Sequence, residues 1–410
     1  MKIIFIHPYW DVWGGAENYM TMLYTEMKKK HDCEIYSIYD AKQPVEGLNY
    51  LHKVPQKSML FGVKFNPIVN KYVKKVSQLL KDKKCDVVVS GNWPATYITE
   101  YAIKKYKFKP KKKIYICFEP DNGFHHMKLF GKFPLNENAG LFDKARAVFS
   151  KVYLEVGRRK DLNNVREQDT ILTLSENVAT KALSVFRDIE PIVLTAQDYS
   201  NVYNIRSLLF DCVDLSKIHK DKELGENYKL YRLNCGTKKI VLYLGRIENQ
   251  IKRVDSILDV ANILRTEKDI LFIIAGTGTY LDKLKERIIN EKLDNVKCIG
   301  FVPEQELNAV YNACDLFIDR SLDEPSGSLT MVEAMACGKP VIASNSGGHK
   351  EIITNNGVLI DETDDCLFAS TIRDLLNKKI KYELLSKNAE QYAKEHSKKE
   401  LIKVFEKCLN

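Results

Sequence analysis

Short apolar runs alternate along the chain with longer segments whose apolar positions recur every three to four residues. This is the pattern of strands covered on both faces by amphipathic helices. Lys2 to His7 predicts a first strand, Gly14-Gly15-Ala16-Glu17 opens a helix from about Asn18 to Lys30, and Glu34 to Ile38 predicts the next strand. Together they make a right-handed βαβ unit with parallel strands. The series continues with a helix in Asn66 to Lys83, a strand at Asp86 to Ser90, a helix from about Ala95 to Tyr106 and a strand at Lys113 to Phe118. A long helix over Asn138 to Arg159 and a strand at Thr170 to Ser175, followed by a helix in ILTLSENVATKALSVF, close the first half. Residues 188–236 are weakly patterned and are expected to hold the linker. A second series then begins at Lys239 to Gly245: helix Asp255 to Arg265, strand Ile270 to Ala275, helix Leu281 to Glu291, strand Val296 to Ile299, helix Glu304 to Ala313 and strand Leu316 to Asp319. Thr330 to Cys337 predicts a helix stopped by Gly338 and Pro340, Pro340 to Ser344 a strand, and Lys381 to Cys408 a last helix. Strands alternating with helices twice over predict an α/β protein of two Rossmann-like, doubly wound domains. Their expected bounds are 1–205 and 206–385, with 386–410 as a C-terminal helix crossing back to the first.

Size agrees with that division, since 410 residues exceed one ordinary core. With 45% hydrophobic and 29% charged residues the chain has a globular composition, which excludes collagen-like, disordered and disulfide-framework classes. Its ten cysteines form no CxxC pair and no Cys/His cluster at zinc spacing, as expected of reduced, buried thiols in a cytoplasmic protein. No apolar run approaches the ~20 residues that span a bilayer. The net charge of +9 is uneven: residues 1–205 hold 32 Lys and Arg against 22 Asp and Glu, and the remainder 31 against 32. Lysines at 71–84 and 104–113 supply much of the excess. Solvated helix faces account for such runs, and attachment to an anionic membrane surface is the functional alternative. No nucleic-acid recognition motif accompanies the charge, so nucleic acid is not expected as a partner.

Candidate chemistry concentrates in Leu322 to Lys350, LDEPSGSLTMVEAMACGKPVIASNSGGHK. The helix predicted there begins near Ser328, and its first free N–H groups, at Leu329 and Thr330, form an anion site that suits a phosphate. Glu333, about one turn in, can accept bonds from vicinal hydroxyls, and Glu324 can do so for a second polyol. A phosphate between two sugars describes a nucleotide sugar. In GRIENQIKRVD, Arg246 and Lys252 offer a guanidinium fork and an ammonium to a diphosphate. Gly276-Thr277-Gly278 follows a strand, but Leu281 stands where a third glycine would complete a dinucleotide fingerprint, so NAD is not expected.

These residues resemble the signature of the retaining glycosyltransferases of family 4, two-domain enzymes of the GT-B fold whose domains face a cleft. In that family two Glu bracket a turn and helix ahead of Ala-Met-Ala-Cys-Gly-Lys-Pro-Val, which stands here at 334–341. The resemblance implies transfer of a sugar from a nucleoside diphosphate to an acceptor hydroxyl, with Arg246, Lys252 and Glu324 in the catalytic roles. It implies a donor site of Gly15, Arg246, Lys252, Val302, Glu324, Leu329, Thr330 and Glu333. Gly15 lies in the first glycine loop, and Gly300-Phe301-Val302 stands where the family meets the base through backbone groups. The acceptor, a glycan or a lipid-linked glycan, is expected at Glu119, His125 and His126. No cofactor and no metal are implied, and no Asp-x-Asp stands at a strand end. Two departures bear on this. Eight residues separate Glu324 from Glu333 where the family usually has seven, and Phe118 stands where relatives carry His. Both leave open an alternative, a non-catalytic GT-B protein that binds glycan or nucleotide; a phosphorylase or isomerase is less well supported, because no pyridoxal lysine motif is present.

Overall fold

The computed structural model describes residues 1–8, 15–41, 44–52, 67–92, 94–118, 163–179, 205–206, 210–322, 324 and 326–409. Gly14, Glu119, His125, His126, Pro325 and the helix expected over Asn138 to Arg159 lie outside them. The chain divides into two compact units: unit 1 comprises Met1–Leu209 with Cys408–Asn410, and unit 2 comprises Phe210–Lys407.

Among the described residues, unit 1 is built on a parallel sheet of seven strands, β1 (Lys2–Ile6), β2 (Asp32–Tyr39), β3 (Leu48–His52), β4 (Lys84–Gly91), β5 (Lys109–Cys117), β6 (Thr170–Thr173) and β7 (Ile205–Arg206), in the order 3-2-1-4-5-6-7. Helices α1 (Gly15–Lys28), α2 (Pro67–Leu79) and α3 (Ala95–Tyr106) belong to it. Pairing of Ile3 through Ile6 with Cys33 through Tyr36 on one side and Val87 through Ser90 on the other makes β1 central. Ile3, Ile4, Phe5 and Ile6 are accordingly fully buried on both faces. Ile4 and Ile6 join Val73, Val76 and Ile98 in one core layer. Phe5 meets Tyr24 of α1 edge-on, 5.8 Å between ring centroids, on the other.

Unit 2 repeats the plan with six parallel strands, β8 (Lys239–Leu244), β9 (Ile270–Ala275), β10 (Val296–Gly300), β11 (Leu316–Asp319), β12 (Val341–Ser344) and β13 (Gly357–Ile360), in the order 10-9-8-11-12-13. Relabelled from its own first strand, this is 3-2-1-4-5-6, the doubly wound order, whose direction reverses between β8 and β11. The period-two pattern separates two cores: Ile240, Leu242, Ile273 and Phe317 point into one, and Val241, Tyr243, Phe272 and Ile318 into the other. Helices α4 (Lys222–Tyr228), α5 (Val254–Ile263), α6 (Leu281–Asn290), α7 (Glu304–Ala313), α8 (Leu329–Ala336), α9 (His349–Ile352), α10 (Asp365–Asn377) and α11 (Lys379–Glu395) cover the sheet, and α12 (Lys398–Leu409) ends the chain.

Two expectations are corrected. The last helix is two, because the chain breaks at His396-Ser397. There the Val213 amide donates to the His396 carbonyl (3.1 Å) and the Lys398 amide to the Val213 carbonyl (2.9 Å), so a parallel bridge replaces helical pairing. The weakly patterned stretch 188–236 also holds β7, α4 and a π-helical turn at Lys229–Leu233. These elements are short, and α4 owes its start to a local cap, Asp221 accepting from the Leu224 amide at 2.9 Å.

Candidate functional site

In an open α/β sheet ligands bind outside the carboxyl ends of the strands where the strand order reverses, which in unit 2 places attention on the loops after β8 and β11. The loop after β8, residues 245–253, carries Arg246 and Lys252. The loop after β11 carries Glu324 and runs into α8. They are tied by backbone, the Leu322 amide donating to the Ile251 carbonyl at 2.7 Å. They are also tied by charge, because the Lys252 ammonium pairs with Glu324 Oε1, both side chains largely buried. Burial works against the Lys252 cation, but the Glu324 and Asp319 carboxylates outweigh it and raise its pKa, while the nearby Arg246 guanidinium opposes them. Arg246 itself is exposed, its carbonyl capped by the Tyr243 hydroxyl at 2.8 Å.

Glycine is demanded where these loops meet the one after β9. Gly276 has φ +132, and a Cβ there would lie 1.8 Å from the Gly245 carbonyl oxygen; one on Gly278 would lie 2.1 Å from that of Ile247. The Ile247 amide donates to the Thr277 carbonyl (2.9 Å), the Tyr280 amide to the Ile247 carbonyl (3.1 Å) and the Gly276 amide to the Gly300 carbonyl (2.7 Å). The Gly-Thr-Gly stretch thus serves loop packing. Gly300, with φ +74, leads to an exposed Phe301 and a buried Val302, whose backbone precedes α7.

Helix α8 begins after Ser328, whose backbone is extended and whose side chain makes no cap bond; its hydroxyl instead lies 2.8 Å from Thr330 Oγ1. Within α8, Met331, Val332, Ala334 and Met335 are buried, while Leu329, Thr330 and Glu333 are partly exposed and share one face. The first-turn amides of that face have no intrahelical acceptor. The buried Tyr311 of α7 donates to Glu333 Oε2 at 2.6 Å, leaving Oε1 for another partner. Burial pushes the Glu333 carboxyl up to about 7, the Tyr311 bond opposing and the Glu304 charge adding.

Between the two Glu the loop turns at Gly327. Its φ is +98, and Ile352 Cδ1 occupies the space a Cβ would take, at 2.1 Å. The Gly348 amide secures the loop by donating to the Glu324 carbonyl at 2.8 Å. Beneath the loop lie three buried polar residues that spacing does not single out, Asp319, Arg320 and His349. Asp319 accepts from the Ser321 amide at 2.9 Å and lies 4.0 Å from His349 Nε2. Burial works against its charge, but Lys252, His349 and Ser321 together hold its carboxyl below the usual range. Arg320 donates to the carbonyls of Ser256 (2.8 Å) and Glu362 (2.7 Å) and stacks over Phe368 at 4.2 Å, so it is a structural pin. An acidic strand end in LFID was the one sequence signal for Asp319; Arg320 and His349 gave none.

In unit 1, Gly15 is the first residue of α1, exposed, with nothing within 4 Å of a built Cβ. At the carboxyl end of β1 the buried His7 places Nδ1 3.1 Å from the Gly91 carbonyl and Nε2 3.1 Å from Glu17 Oε1. Phe118 packs edge-on against both His7 (6.4 Å) and Tyr19 (5.5 Å). Glu119, His125 and His126 are outside the described residues.

Arg246, Lys252, Glu324, Leu329, Thr330 and Glu333 therefore stand on two adjoining loops and one helix face. Residues 232–392 match the family model of glycosyl transferases group 1. An uncharacterized glycosyltransferase of Methanocaldococcus jannaschii, MJ1069, is 25% identical over 76% of this chain and 72% of its own length. Spore coat protein SA of Bacillus subtilis is 22% identical over 98% and 97%. Alpha-monoglucosyldiacylglycerol synthase of Streptococcus pneumoniae is 35% identical over 32% of this chain and 30% of that protein. Among solved structures, Anabaena Alr3699/HepE in complex with UDP and glucose aligns with a TM-score of 0.71 at 17% identity, covering 100% of this chain and 98% of that one. Sucrose-phosphate synthase from Thermosynechococcus elongatus aligns at 0.69 and 14%, covering 99% and 98%. The chain thus has the GT-B fold, and the stretch that resembles glycosyl transferases group 1 is residues 232–392.

Proposed function

We propose that this protein is a retaining, metal-independent glycosyltransferase that moves a hexosyl group from a nucleoside-diphosphate sugar to a hydroxyl of a glycan or lipid-linked acceptor. The observation that carries the reading is the juxtaposition of Lys252 with Glu324 at the β8/β11 switch point, beside an exposed Arg246 and the open first turn of α8. Arg246, Lys252 and the amides of Leu329 and Thr330 receive the diphosphate. Glu333 Oε1 takes the ribose hydroxyls, the backbone at Val302 the base, and Glu324 the hydroxyls of the transferred sugar. As the bond from the anomeric carbon to the β-phosphate oxygen breaks, the charge on that oxygen grows. Donors fixed in advance stabilise it without reorganisation. The acceptor oxygen bonds to the anomeric carbon on the face the phosphate leaves, and its proton passes to the departing phosphate oxygen. The acceptor role falls to residues 1–205. The HepE structures hold UDP, with glucose or as UDP-glucose, which supports a nucleotide sugar as ligand here.

The test is release of nucleoside diphosphate from a panel of donors, with and without acceptor. Acceptor-dependent release that falls at least a hundredfold in both Lys252→Ala and Glu333→Ala is the expected result, each removing a charged contact of about 2–3 kcal/mol or more. Nucleotide binding without turnover across the panel would instead assign a binding protein.

A further inference from the structure

The segment by which the chain enters unit 2 is locked to the start of its last helix. Besides the Val213 bridge, Lys398 Nζ reaches Asp214 Oδ2 at 2.9 Å, and the rings of Phe210 and His396 meet edge-on at 4.9 Å, with Tyr392 stacked on His396 at 3.8 Å. Asp211 sits in the middle of this clamp. The Ser326 hydroxyl, in the loop bearing Glu324, stands near enough to favour its charged form, while its Oδ2 is enclosed and meets no hydrogen-bond partner among the described residues. An enclosed carboxylate oxygen without a donor is costly, so the clamp favours the neutral acid. We propose that Asp211 is a positioning residue for the donor site: through Ser326 it registers the Glu324 loop to the paired segments 210–214 and 396–398. The inference rests on the proposed donor chemistry and deepens it, because it names what holds the Glu324 loop in place.

The groups facing Asp211 fix the sign of its effect. They are Ser326 and Glu324 of the donor loop, Lys252 of the loop after β8, Glu351 of α9, Tyr392 of α11 and the adjoining Cys212. Burial pushes the Asp211 carboxyl up to about 7, opposed by Ser326 and Lys252 and aided by the Glu324 and Glu351 charges. Above that pH a second negative charge stands beside Glu324 and repels the donor diphosphate.

The experiment follows kcat/KM for the donor from pH 5.5 to 9 in wild type, Asp211→Asn and Ser326→Ala. The wild type is expected to lose activity as pH rises past about 7. Asp211→Asn, which has no charge to gain, loses that alkaline limb and keeps the acid one. Ser326→Ala, lacking the donor that favours the anion, moves the limb to higher pH and raises the donor KM about fivefold, the weight of one hydrogen bond. A uniform drop with an unchanged profile in both variants overturns the positioning role and leaves the donor reading intact. A wild type that turns over no donor rejects that reading, and this inference with it.

Discussion

At the residue scale the site rests on carboxyl groups whose surroundings set their charge. In its proposed role Glu333 must be anionic to accept two hydroxyls, yet its carboxyl is raised to about 7. The sign follows: below pH 7 the group is protonated and must lose a proton to bind, so nucleoside diphosphate affinity falls by up to about tenfold per pH unit. Tyr311→Phe removes the donor that favours the anion, a bond of about 1.5–3 kcal/mol, and should move this limb up by about one to two pH units. Calorimetric titration between pH 6 and 8.5 checks it, and an unmoved limb rules out Tyr311 as the holder of Glu333. Because the raised acid costs stability as pH climbs from the ordinary Glu range through 7, Glu333→Gln is expected to melt higher than wild type at pH 8. Arg246, Lys252 and both Glu were legible in the sequence because the loops and helix that carry them have local signatures. Tyr311 and Asp211 were not: Tyr311 lies 22 positions from the group it serves and Asp211 far upstream of Ser326, and no periodicity encodes contacts of that range.

At the element scale, the turn from Gly276 to Tyr280 is what holds the loop after β8 in shape. Gly276→Ala adds a Cβ 1.8 Å from a carbonyl oxygen at φ +132, and neither the backbone nor its neighbour can yield cheaply. A loss of about 2–4 kcal/mol is expected in denaturant melts. Gly15→Ala is the contrast, since its Cβ meets nothing and it begins a helix. It should hold or gain stability by up to about 1 kcal/mol. A large stability loss there would show that the residue serves the fold. The strands and long helices were legible because each has the right period and a clear stop. The break in the final helix was not, because His396-Ser397 yields to a bridge from Val213, and a partner so distant in sequence leaves no mark on the local pattern.

At the scale of the molecule, the repeated βα rhythm announced two doubly wound sheets, while residues 188–236 concealed short elements too brief for any period to register. Charge is the other global trait. Exposed lysines at 84, 109 and 111 stand at or near the amino-terminal ends of β4 and β5, and Lys81, Lys104, Lys105 and Lys107 crowd the ends of the adjoining helices. No helix among the described residues is long and apolar enough to cross a membrane. Docking of this basic edge on anionic lipid is the outcome to test. Co-sedimentation with anionic vesicles should be strong at low salt and fall at least tenfold by 0.5 M, where screening is short-ranged; binding indifferent to salt or to lipid charge would refute it.

The ion pair between Lys252 and Glu324 has one more consequence. With no ligand bound, ammonium and carboxylate cancel each other, so a stray phosphate finds no bare lysine and a free sugar finds no bare acid there. Only a molecule that brings an anion and a polyol together repays the separation of the two. On the proposed function, the resting protein is thereby tuned to the intact conjugate over either of its fragments.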